Sequence, residues 1–72
     1  MEKFKKGQEV EWKWGKRKAS GKVTQSFTSD VTRKIEGKEI SRKADDEHPA
    51  YMISQEDGGR ALKKHSELSK KS

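Results

Sequence analysis

Between Glu9 and Trp14 the chain alternates strictly, with Val10, Trp12 and Trp14 apolar and Glu9, Glu11 and Lys13 charged. A period of two sends one set to the inner face of a half-buried strand and the other set to water. Gly7 and Gly15 punctuate the run at its two ends. The stretch Gly15-Lys16-Arg17-Lys18-Ala19-Ser20-Gly21 is polar and bounded by glycines, which predicts an exposed basic loop. Val23 and Phe27 then fall on one face of a second strand, with Lys22 and Thr24 on the other.

Two hairpins follow. In the stretch from Val31 to Ile40, a two-residue turn at Gly37-Lys38 suits type II′ geometry, because glycine accepts positive φ at the first position. That turn sets Ile35 opposite Ile40 on one face. It also sets Glu36 beside Glu39, a repulsion that a one-residue shift relieves. Ser41 to Pro49 has no apolar periodicity and reads as a loop, acidic at Asp45, Asp46 and Glu47. Pro49 stiffens the entry into Ala50-Tyr51-Met52-Ile53, an apolar run of strand length. Asp57-Gly58 is the strongest turn signal, and a two-residue loop there sets Ile53 opposite Leu62 and Tyr51 opposite Lys64. His65-Ser66-Glu67-Leu68 reads as one helical or 3₁₀ turn whose Leu68 plugs an open end.

The prediction is all-β: a small five-stranded SH3-like barrel with a short C-terminal helical turn. It occupies residues 1–68, and residues 69–72 form a disordered C-terminal tail.

Composition argues the other way. Only 26% of the 72 residues are hydrophobic and 42% are charged. Leu, Ile, Val and Phe together number ten, below the roughly 20% that marks chains too polar to bury a core. Disorder therefore competes on bulk figures, and the strand pattern outweighs it. There is room for one domain of marginal stability. With no cysteine, neither a disulfide nor a thiolate metal site can staple it. The opening Met1-Glu2-Lys3-Phe4-Lys5-Lys6 leads into no apolar stretch. The expectation is a chain without a secretory signal or membrane span, acting in the cytoplasm.

Several stretches together resemble a known family. Phe4-Lys5-Lys6-Gly7-Gln8-Glu9-Val10 is followed by Trp12, then by Gly21 with Val23. Gly37-Lys38-Glu39 comes next, then the acidic run into Pro49-Ala50-Tyr51 with Ile53, then Gly58, and the close Lys64-His65-Ser66-Glu67-Leu68. In order and spacing the chain resembles the hypervirulence-associated protein Tudor domain family, small bacterial and fungal domains. Gln8 stands where an aspartate is expected, and His48 interrupts the acidic lead-in to Pro49. The resemblance implies a Tudor-like, SH3-type barrel and little about activity.

Tudor-type readers hold a methylated cation between aromatic faces. Of the five aromatics Phe4, Trp12, Trp14, Phe27 and Tyr51, most are needed as core, Trp12 above all. Trp14 beside Gly15 and Tyr51 after Pro49 are placed to form a ligand-binding rim, half a cage. The expected partner is a protein or peptide. The alternative is nucleic acid, held by a patch of Lys13, Lys16, Arg17, Lys18, Lys22, Lys63 and Lys64, with Trp14 stacking on a base. A net charge of +6 also fits a surface that is merely solvated. His48 and His65 stand in no recognisable catalytic or metal-binding spacing. No enzyme, metal, cofactor or membrane partner is expected, and the domain reads as a monomer.

Overall fold

The computed structural model describes residues 3–71. Its strands are β1 (Glu9–Trp14), β2 (Arg17–Phe27), β3 (Val31–Ile35), β4 (Lys38–Arg42), β5 (Ala50–Gln55), β6 (Arg60–Lys64) and β7 (Ser69–Lys70), with a 3₁₀ turn at His65–Glu67. Five strands form a sheet in the order β6-β5-β2-β1-β7, and β3 pairs only with β4. The fold is a small all-β one of the SH3/Tudor kind. Among the described residues there are seven strands rather than five, and the two sheets do not close into one.

The basic loop expected over 15–21 is a two-residue turn. Trp14 pairs with Arg17, leaving Gly15 and Lys16 at the apex, and Gly15 takes φ 62, a conformation glycine adopts without strain. Beyond the turn β2 runs with small residues inward. Ala19 faces Trp12, and Gly21 faces Val10. The alternation was present in the sequence but hidden, because its inner positions are not large.

A bulge follows in β2. Val23 pairs with Ile53 and Gln25 with Met52, so Thr24 is the extra residue. Its hydroxyl donates to the Met52 carbonyl at 3.1 Å. An inserted residue reverses which face the strand presents. Val23 and Phe27 therefore part company, against expectation. Val23 joins Val10, Trp12, Tyr51, Ile53 and Leu68 in one cluster. Phe27 packs beside a second, made of Val31, Ile35, Ala50, Met52 and Leu62.

The wall between these two small cores is β5, buried on both faces from Ala50 to Ile53. This is how so polar a chain folds: one apolar strand serves two cores, and the β3–β4 hairpin contributes Val31 and Ile35 to the second.

Both hairpin registers differ from expectation. In β3–β4 the turn is Glu36-Gly37, with φ 51 and 81, and Lys34 lies opposite Glu39. The shift replaces the Glu36–Glu39 repulsion with an opposite-charge pair. Ile35 now faces Lys38 and Ile40 faces Arg33, yet both isoleucines keep the same face. In β5–β6 the loop is Glu56-Asp57-Gly58, closed by the Gln55 amide on the Gly59 carbonyl at 2.8 Å. Gly58 takes φ 89, and the Asp57 carboxylate accepts the Gly59 amide at 2.9 Å. One extra loop residue moves Leu62 opposite Met52 and Lys63 opposite Tyr51, which delivers Leu62 to the second core instead of the first.

Leu68 packs at 8% exposure in the first cluster. The tail expected after it begins as a strand instead. Ser69 and Lys70 pair with Glu11 and Val10, so part of β1's outer edge is covered. The last residue of that expected tail, Ser72, lies outside the described residues, as do Met1 and Glu2 of the N-terminal segment. No helix among the described residues is long and apolar enough to cross a membrane.

Candidate functional site

Trp14 is 68% exposed, the one large apolar side chain in that condition among the described residues. It ends β1, on the same face as Trp12 and opposite Arg17. On that side lies a groove of about 410 Å³ bounded by Trp12, Trp14 and Ala19, by Glu36, Ile40 and Arg42 of the β3–β4 hairpin, and by Asp57, Arg60 and Lys63. Its floor is apolar and its rim carries both signs of charge.

Glu67 fixes one wall. Its carboxylate accepts the Arg42 Nε at 3.0 Å and the Lys64 amide at 2.9 Å, and it lies 3.8 Å from the Lys63 ammonium. Burial pushes this carboxyl upward, but the Lys64 amide and the two cations together hold it below the usual carboxylate range. Arg42 of β4 is thereby tied to the 3₁₀ turn after β6, across the gap between the sheets. Nothing in the residue spacing announced Arg42, Arg60 or Ile40 as groove residues, since the packing of one sheet on another brings them together.

Tyr51 is not at this rim. It is fully buried, because β5 has no exposed face at that position. Its hydroxyl accepts the Phe4 amide at 3.1 Å and lies 3.1 Å from His65 Nδ1. Phe4 stacks on His65 at 4.8 Å and meets Tyr51 edge-on at 5.5 Å. Three aromatic rings thus converge inside the domain, with none facing Trp14. The ring nearest Trp14 along the strand face is Trp12, only 4% exposed.

The seven basic residues are divided. Lys13 and Lys18 face each other on the outer side of β1–β2, and Lys22 lies further along opposite Glu9. Glu11 takes Lys18 at 3.7 Å. Lys16 is in the turn, and Arg17 is on Trp14's face. Lys63 and Lys64 point to opposite faces of β6, as consecutive strand residues must. Lys63 reaches the groove, while Lys64 lines a separate depression with His65.

His65 carries a testable consequence. Burial holds its imidazole below the usual 6.5, and the charge of His48 acts in the same direction. The unfolded chain therefore takes up this proton at higher pH than the folded one. The contribution to stability is complete above the ordinary imidazole value and is lost as pH falls through the folded one. Urea midpoints should fall between about pH 7.5 and about pH 5.5, and a His65→Gln chain should show a shallower fall over that window. Equal slopes in the two proteins would remove His65 as the cause.

Residues 7–68 match the model of the hypervirulence-associated proteins TUDOR domain family. No curated protein and no solved structure matches the chain.

Proposed function

Because the chain belongs to the hypervirulence-associated proteins TUDOR domain family, we propose that it is a non-catalytic binding module whose partner is an extended protein segment. The segment lies in the groove beside Trp14. One observation carries this reading: a tryptophan left 68% exposed beside a groove lined half by apolar residues, in a chain that packs its other aromatics inward. Exposed tryptophan in a concave setting is where interfaces concentrate their energy. The rim mixes Glu36 and Asp57 with Arg42, Arg60 and Lys63, which suits the varied polar groups of a peptide better than a uniform polyanion. The reading implies a monomer working in the cytoplasm without a cofactor.

A second reading has its own observation. Arg17 pairs with Trp14 on its own face and Lys16 stands in the adjoining turn, and no acidic residue occurs from 13 to 18. An indole among cations can stack on a base while its neighbours neutralise phosphates.

Backbone amide shifts separate the two. The titrants are a single-stranded oligonucleotide, a short duplex, and basic peptides with and without lysine methylation, each at two salt concentrations. A protein segment in the groove moves Ile40, Arg60 and Ala61 with little salt dependence. An oligonucleotide moves residues 13–18, and the shifts collapse as salt rises. Trp14→Ala should change stability by no more than about 0.5 kcal/mol and weaken the partner by roughly tenfold or more. A variant that binds like the parent would end both readings.

A further inference from the structure

The geometry points to a second binding site, for a phosphate group, in the depression between the loop after β4 and the 3₁₀ turn. This hollow of about 270 Å³ is lined by Lys43, Asp45, His48, Lys64, His65 and Ser66. It shares no lining residue with the Trp14 groove and stands whether or not that groove binds protein.

The Tyr51 hydroxyl accepts the Phe4 amide, so the one proton it owns is free to go to His65 Nδ1 at 3.1 Å. A neutral His65 accepting at Nδ1 carries its own proton on Nε2. Among the described residues nothing takes that N–H. The relay from Phe4 through Tyr51 thus favours the tautomer with its proton on Nε2, in a residue that lines the hollow.

The remaining lining groups agree. Lys43 and Lys64 have no ion-pair partner among the described residues, and each offers a free ammonium. Ser66 adds a hydroxyl. The lone carboxylate, Asp45, lines the hollow as well, with one of its oxygens held by its own loop. Its Oδ1 accepts the amides of Glu47 at 3.0 Å and His48 at 2.8 Å and lies 3.2 Å from His48 Nδ1. Against that single carboxylate the lining sets two lysines, two histidines and a serine.

A ligand for such a wall must accept at several points and bear negative charge. Phosphate is a dianion with tetrahedrally disposed acceptor oxygens, and charge-assisted hydrogen bonds of this kind are the strong ones. A phosphorylated side chain and the free ion present the same group.

The test follows amide and imidazole signals of the full chain during titration with sodium phosphate, at a pH where phosphate is dianionic. Ionic strength is held constant with sodium chloride. A phosphoserine peptide and its unphosphorylated twin are run beside it. Saturable shifts are expected at Lys43, Lys64, His65 and Ser66, with Trp14 and Ala61 unmoved. Lys43→Ala with Lys64→Ala, both exposed, should weaken binding by about tenfold. Should that pair melt early, Lys43→Gln alone serves the same comparison. Tighter binding of the phosphopeptide than of phosphate assigns a phosphorylated side chain, and equal binding assigns the free ion; either upholds the site. Shifts that chloride reproduces at equal ionic strength, or that persist undiminished in the variants, overturn it.

Discussion

Replacing Trp12 with alanine should leave a chain that no longer melts cooperatively. The indole is 4% exposed and packs with Val10, Val23, Tyr51, Ile53 and Leu68. Truncating a buried aromatic costs about 3–5 kcal/mol, because the transferred surface is lost and the hole is only partly refilled. A domain of this size holds only about 4–10 kcal/mol in total. Opposite Trp12 stands Ala19, too small to move into the gap. The second core, on the far side of β5, contributes nothing to filling it. Near-ultraviolet circular dichroism across a thermal ramp checks the result, and Trp14 remains in the variant as a fluorescent control. A sigmoidal melt within a few degrees of the parent would mean that the inner face of β1 has been assigned wrongly.

That inner face is where the sequence was most readable. Val10 and Trp12 alternate with charges, and their burial follows directly. Other features were legible in kind but displaced in register. The turn at 36–37 and the loop at 56–58 lie where glycine signals placed turns, yet each register moved. Where the chain turns is decided by which residue takes the left-handed conformation, Glu36 with Gly37 in one case and Gly58 in the other. A local pattern rich in glycine and acids does not fix that choice. The consequence is unequal. In β3–β4 the shift keeps both isoleucines inward, whereas in β5–β6 it carries Leu62 to a different core.

The candidate sites were less legible still. Trp14 could be picked out because it ends a strand beside a glycine turn. Tyr51 could not be separated from it by local rules, since its burial depends on β5 being covered from both sides. His65 drew attention only as one of two histidines without a catalytic spacing. Its role comes from the contact with Tyr51, fourteen residues away, and from Phe4 stacked on the ring. No periodicity encodes such a meeting of three distant residues.

Gly21→Ala should be the most damaging single-carbon addition in the chain. Its φ is ordinary, so glycine is not needed there for the turn of the backbone, as it is at Gly15. The need is for space. A Cβ at Gly21 would stand 2.5 Å from the Ser54 carbonyl oxygen and 2.6 Å from Ile53 Cγ2. The first obstacle is backbone of the neighbouring strand and cannot rotate aside. Gly21 pairs with Val10 on one side and Gln55 on the other, so β2 cannot retreat from β5 without straining its ladder with β1. Overpacking at such a point costs about 3 kcal/mol, which for a domain of this length lowers the melting temperature by roughly 12–24 °C. The sign makes the test sharp. Where space allows and φ is negative, glycine to alanine stabilises by about 0.4–1 kcal/mol by restricting the unfolded chain. A rise in melting temperature would therefore mean that β2 and β5 stand further apart than the pairing requires, and the wall between the two cores would have to be redrawn.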